Sequence, residues 1–341
     1  MNKTKTEKQH TVPQFILRNF ATDNIIYTYD KSIHKSYKSN VKDSCCERSF
    51  YDIRLHVDGK LVETTIEDIL SEIERKASPV IKNILANDSV LDITEKDKNG
   101  VVKFLATQMF RTQNIKQNLK SVPEQVRNAV KERVPDFISD ASIDESFPDF
   151  NDEDLNLYFD STILDGISRL EPYFKDLEWI LVKTDEKKPF LIGDSPVVTF
   201  NELYHDHKEL FDFLKQSIAY KGSCVFFPLS PTRALWLVHH EVIEKYTKNA
   251  KEILKLYFSG LSNVKYDLTV ESKIQDMISK DEGFTKTGVI TLSAQEVNKY
   301  NFLEITRAER KVFSKYPNFE QVEEIVKKND FYRHGMRMLC E

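Results

Sequence analysis

Apolar residues recur at two different periods along this chain, and the change from one to the other falls near Leu177. Between residues 65 and 175 the helical period dominates. Ile66, Ile69, Leu70, Ile73, Ala77, Val80, Ile81, Ile84 and Leu85 share one stripe and predict a long amphipathic helix, with Thr64 as its N-cap. Pro79 lies inside this pattern and should kink or split the helix, because proline lacks the N–H that the turn needs. Val101, Val102, Leu105 and Met109 predict a second helix from about Thr94 to the Gln113 region. Pro123 reads as the start of a third, and a fourth runs from Leu155 to Phe174. Asp140 to Asp154 is crowded with acids and poor in apolar residues, which predicts a solvated, weakly ordered loop.

Before this helical stretch the pattern is mixed. Pro13 suits the first turn of a helix whose apolar stripe is Ile16, Leu17 and Phe20, with Gln14 and Arg18 one turn apart on another side. Asn24 to Asp30 alternates as a strand does, and Ile53–Val57 and Lys60–Glu63 flank Asp58-Gly59, a hairpin signature. After Leu177, strand-length apolar runs take over at 179–182, 190–192, 197–200, 224–227 and 234–238. Helices are expected at 242–258, 295–305 and near 319–328. The fold class is therefore α+β, a helical middle packed against a mixed or antiparallel sheet. Its two regions are 10–176 and 177–341, joined as one continuous fold.

Composition narrows the chemistry. The chain has 341 residues, 40% hydrophobic and 30% charged, as in ordinary globular proteins. A formal net charge of −5 provides no global attraction to nucleic acid, although a local basic groove is compatible with it. The four cysteines form no C-x-x-C pair, and no apolar run is long enough for a membrane span, which together predict a cytoplasmic protein. No G-x-G-x-x-G or G-x-S-x-G occurs, and Val289 stands where the phosphate-loop spacing of Gly283 and Gly288 calls for lysine.

The candidate polar residues are few. His10, just ahead of a helix start, places an imidazole beside unpaired backbone N–H groups or simply packs there. Glu67 and Glu74, seven residues apart, share one helix stripe and suit a divalent cation or acid–base roles. Thr64-x-x-Glu67 is also a capping box, which would occupy Glu67 structurally. Gln108 and Arg111 share a stripe at a core margin, where the guanidinium must pair with a carboxylate or bind an anion. Asp194 ends a strand, where either an active carboxylate or an Asx-turn is expected. His205-Asp-His207 and His239-His240-Glu241 read as surface clusters, and the lysines from Lys31 to Lys42 around Tyr37 as a solvated loop or a phosphate contact.

An ordered set of short motifs resembles a known family. The set is His10-x-x-Pro13-Gln-x-x-Leu17-x-x-Phe20, Tyr27-x-Tyr-Asp30-Lys31, Phe50-Tyr51, Gln108-x-x-Arg111-Thr112, Gly193-Asp-Ser-Pro-Val197, Phe227-Pro-Leu-Ser-Pro231 and Asn301. It is similar to the bacterial domain-of-unknown-function family 4238, from about His10 to beyond Arg310. The resemblance implies a shared polar site at His10, Gln14, Asp30, Glu67, Glu74, Gln108, Arg111 and Asp194, and it brings no established activity.

Two functions follow as expectations. One is a metal-dependent hydrolase of a phosphate-containing substrate, nuclease-like, with the defence or toxin role that such bacterial proteins often have by analogy. In it Glu67, Glu74 and Asp194 hold Mg²⁺ or Mn²⁺, Arg111 with Gln14 and Gln108 binds substrate, and His10 is the acid or base. The other is a non-catalytic module in which the same residues hold a small anionic ligand or a protein partner. If one site exists, the start of the first helix, the Glu67–Glu74 edge, the Gln108–Arg111 stripe and the Asp194 turn must converge, with Arg111 within salt-bridge reach of Glu67, Glu74 or Asp194 and His10 or Gln14 lining the same cavity.

Overall fold

The computed structural model describes residues 8–57, 60–133, 139–203, 219–258 and 268–335. The chain opens with strand β1 (Lys8–His10), the one-turn helix α1 (Gln14–Leu17), β2 (Ile25–Asp30), β3 (Lys35–Asn40), β4 (Cys46–Arg48) and the hairpin β5 (Asp52–Val57) and β6 (Lys60–Thr65). Five helices follow: α2 (Glu67–Asn87), α3 (Glu95–Phe110), α4 (Gln113–Arg133), α5 (Asp140–Ser146) and α6 (Asp152–Lys175). Next come β7 (Glu178–Lys183), β8 (Ile192–Gly193), β9 (Val198–Asn201), β10 (Ser223–Ser230) and β11 (Arg233–Val238). The remaining elements are α7 (His240–Phe258), α8 (Leu268–Glu282), β12 (Val289–Thr291), α9 (Ala294–Arg307), β13 (Lys311–Ser314) and α10 (Glu320–Lys328). This is the α+β class, with 65–175 largely helical and the strands concentrated where the run-length pattern predicts them.

The main sheet has the order β12-β7-β11-β10-β9, antiparallel except for the parallel β12–β7 pair. Its strands are continuous apolar runs because both faces are buried. Val225, Phe227, Leu235 and Leu237 meet Ala77, Ile81 and Ile84 of α2 and Val101, Phe104 and Leu105 of α3. The alternate residues Cys224, Phe226 and Trp236 face Val297 and Tyr300 of α9, with Phe226 and Tyr300 stacked at 4.4 Å between ring centroids. A second sheet, β3-β2-β13-β8, places β13 from the end of the chain between strands from its beginning and middle. The two regions thus share sheet and core. Asp88, in the left-handed conformation at the end of α2 (φ 54°), ties that helix to the main sheet through Lys183 and Arg233.

Several local expectations are corrected. The acidic stretch is mostly helical and docked. Ser139 caps α5 and Asn151 caps α6, so the acids of the first turn of α6 sit at the favourable end of its dipole. Lys131 and Arg127 of α4 neutralise Asp144 and Asp149 at 2.8 Å each, and Ile143 is buried. Helix α2 begins at Glu67 with Ile66 as N-cap and no side-chain cap, so the Thr64 capping box does not form. Pro79 does not split α2, whose flanking Ala77, Val80 and Ile81 are buried on both sides of it. Pro123 lies within α4 rather than at its start. Phe190 and Leu191 precede the short β8 instead of belonging to it. The His205–His207 cluster lies outside the described residues, whereas His239 and His240 stand at the start of α7 with their rings tilted against each other, centroids 4.3 Å apart.

Candidate functional site

Strand β1 pairs with β4, His10 opposite Cys46 and Lys8 opposite Arg48. Between them Gln9 points inward, 1% exposed; its Nε2 donates to Asp52 Oδ1 at 2.9 Å and its Oε1 accepts from the Tyr51 amide at 2.6 Å. Because side chains alternate along a strand, fixing Gln9 in the core turns Lys8 and His10 to the opposite face. That face opens on a cleft of about 400 Å³. One wall is His10, Gln14 and Arg18; the other is Glu67, Ser71 and Glu74, one stripe of α2.

Behind the second wall, Arg111 caps the end of α3 and is 1% exposed. Its Nη1 donates to Glu74 Oε1 at 2.7 Å and its Nε to Gln108 Oε1 at 3.0 Å. Gln108 passes the connection on, donating from Nε2 to the Thr11 carbonyl at 2.7 Å. The Tyr51 hydroxyl lies 3.3 Å from the His10 carbonyl and 3.4 Å from that of Arg111 and can donate to one of them at a time. The backbone on either side of His10 is therefore held by buried side chains, Gln9 before it and Gln108 after it. Buried hydrogen-bonded networks of this kind hold a side chain in one place.

The polar atoms are unevenly satisfied. His10 Nε2 and Arg111 Nη2 are buried with no hydrogen-bond partner among the described residues. Burial pushes the His10 imidazole below its ordinary range, opposed by the Lys42 and Val41 carbonyl groups and by Glu74. Burial lifts Glu67 above the usual carboxylate range, and the neighbouring charges of Glu74, Asp52 and Asp68 add to it while Arg111 opposes. Two acids on one stripe beside an imidazole repel one another less when a proton or a cation sits between them.

Four of the sequence candidates, His10, Gln14, Glu67 and Glu74, line the one cleft, and Gln108 and Arg111 lie directly behind it. Arg111 and Glu74 are in salt-bridge contact, one part of the convergence expected, which also required the Asp194 turn. Asp194 does not join them. Its two oxygens accept from the amides of Glu309, Arg310 and Lys311 at 2.6, 2.9 and 2.8 Å, which saturates the carboxylate and pins the loop entering β13. Asp30 is likewise held, by the Arg310 guanidinium at 2.6 Å. Among the described residues no three His, Cys, Asp or Glu side chains converge as metal ligands. Glu67 and Glu74 alone remain as a carboxylate pair, a donor set that suits Mg²⁺, which keeps several waters and completes its shell with substrate oxygens. His10 also departs from expectation. It sits on β1, the cap position is Pro13, and α1 is a single turn, so there is no helix dipole of useful length beside the imidazole.

Lys8, Ser71, Gln9 and Tyr51 were not singled out as site residues. Ser71 had a signal, lying four residues after Glu67 and three before Glu74 on the same stripe. Gln9 had none, since three residues of strand are too few to show alternation.

A protein-family model described as a protein of unknown function, DUF4238, matches residues 8–317 and so spans both sheets and the cleft. The chain belongs to this family. No curated protein and no solved structure matches the chain. Among the described residues no helix is long and apolar enough to cross a membrane.

Proposed function

We propose that this DUF4238 protein hydrolyses a phosphodiester in the β1–α2 cleft, with nucleic acid as the leading substrate and a defence or toxin role attached by analogy alone. The observation that carries the reading is the polarity of the cleft, acids Glu67 and Glu74 on one wall and His10, Gln14 and Arg18 on the other. A phosphate with a bound cation presents the complementary pattern. Glu67 and Glu74 would hold Mg²⁺ or Mn²⁺, which would polarise the phosphoryl oxygen. Arg18, positioned by its bond to Gln14 Oε1 at 2.7 Å, neutralises the phosphate. His10, kept neutral by burial, would take a proton from the attacking water once its ring turns the buried, unpartnered Nε2 to the cleft. The water oxygen bonds to phosphorus, the phosphorus–oxygen bond to the leaving group breaks, and that oxygen is protonated by solvent. Arg111 moves from the substrate-binding role expected of it to a positioning one, orienting Glu74.

Labelled DNA and RNA incubated with Mg²⁺, Mn²⁺ or EDTA give the test. Cleavage is expected with either metal and not in EDTA. His10→Asn and Glu67→Gln should each lower the rate about 10²- to 10³-fold, the usual contribution of a positioned acid, base or metal ligand. Neither side chain carries a hydrogen bond to another described side chain, so both variants should fold. Saturable binding without turnover under every condition would replace the enzyme reading with a binding module, which the largely buried Gln108–Arg111–Glu74 chain also suits.

A further inference from the structure

Outside the cleft, one face of the four-stranded sheet and the β1–β4 pair form one basic surface. Lys311 and Lys35 both stand opposite Asp30, on the strands to either side of it, and Arg310 binds the Asp30 carboxylate. On β1 and β4, Lys8 and Arg48 are directly opposite one another, a like-charge pairing that the Asp43 carboxylate on Lys8 relieves. The two groups are continuous, because the charges of Lys8 and Lys311 both act on Cys46, and those of Lys311 and Arg310 on Glu47. Two carboxylates of this surface are already engaged, Asp30 by Arg310 and Asp43 by Lys8 at 2.5 Å, while Glu47 lies in the field of Lys116, Lys311 and Arg310 without an ion pair to them. Lys35, Arg48 and Lys311 have no carboxylate within ion-pair distance among the described residues, and Lys8 stands at both the strip and the cleft. Tyr37 lies on β3 within the field of Arg310 and is 40% exposed, an aromatic face set among cations.

We infer that this strip binds single-stranded nucleic acid and leads it past Lys8 into the cleft. The inference rests on the reading of the cleft as a phosphodiester site and names its substrate class. The cations supply backbone contacts spaced along the surface, and Tyr37 supplies a platform for one base. An exposed ring selects a single strand over a duplex, since duplex bases present no free face. The field is local: a chain of net charge −5 attracts polyanions only where its cations are segregated in this way.

Fluorescence anisotropy with a labelled 12-nucleotide single strand in EDTA reads binding alone, so a failure of hydrolysis leaves this measurement intact. Affinity should fall steeply with salt. Lys35→Glu combined with Lys311→Glu should weaken binding at least about tenfold and flatten the log–log salt slope by about 1.4, the value for two lost single-strand phosphate contacts. Tyr37→Ala should weaken it about fivefold or more with the salt slope unchanged, since stacking is not ionic. Far-UV circular dichroism confirms that these surface variants fold. No measurable binding, binding indifferent to the double charge reversal, or equal affinity for a duplex of the same length would overturn the assignment.

Discussion

Asp160→Asn should stabilise the protein at pH 8 by about 2–4 kcal/mol and by much less at pH 4. Asp160 lies on α6, 2% exposed, and neither of its carboxylate oxygens has a hydrogen-bond partner among the described residues. Burial lifts this carboxyl to about 7, with the Asp52 charge adding and Lys116 opposing. Lys116 is the cation that opposes this, without a hydrogen bond to the carboxylate: its ammonium donates to the Phe50 carbonyl at 2.8 Å and sits over the Phe50 ring at 4.2 Å. The folded protein therefore binds a proton here that the unfolded chain releases above the ordinary value of 3.8. Wild-type stability consequently falls as pH rises from that value to about 7, and is level beyond it. Asparagine has nearly the same shape and does not titrate, so it removes this slope. Urea unfolding of both proteins at pH 4, 6 and 8 checks the prediction. A difference that does not grow with pH would mean that Asp160 is ionised and solvated in the fold.

The helical part of the architecture was readable because each long helix buries one stripe at a fixed period. Glu67, Ser71 and Glu74 could be placed on one wall, and Gln108 beside Arg111, from that period alone. Asp194 could not be placed, because its partners are three backbone amides contributed by Glu309 to Lys311, and main-chain groups leave no mark in a sequence. The acidic segment misled for a related reason. Its charges are neutralised by Arg127 and Lys131 on a different helix, a contact invisible to local composition. The parallel β12–β7 pair was equally hidden, since strand-length apolar runs say where strands lie and not which neighbours they take. The cleft was half legible. The acids on α2 announced themselves by spacing, while His10 owes its orientation to the buried side chain of Gln9, on a strand of three residues.

Removing Glu74 should cost more than removing its partner, and removing both should cost less than the sum. Arg111 is 1% exposed, whereas the Glu74 side chain is 30% exposed at the cleft. Glu74→Ala leaves a guanidinium in the core with no carboxylate at 2.7 Å, a loss on the order of 3–5 kcal/mol for a broken buried pair. Arg111→Met keeps much of the volume, and the carboxylate it abandons can turn to water, so about 2 kcal/mol is expected. In the double variant no unpaired charge remains in the core, and its stability should exceed that of Glu74→Ala alone, a coupling of about 2–3 kcal/mol. Chemical denaturation of the four proteins closes the cycle. Strict additivity would show that the pair is solvated and contributes little. A small loss in Glu74→Ala would show Arg111 turning to Glu67, whose charge already acts on it. The asymmetry bears on function as well. A loss of cleavage in a Glu74 variant mixes the chemistry of the cleft with the stability of α3 behind it. The unbonded Glu67 is thus the carboxylate whose replacement tests catalysis with least disturbance to the fold.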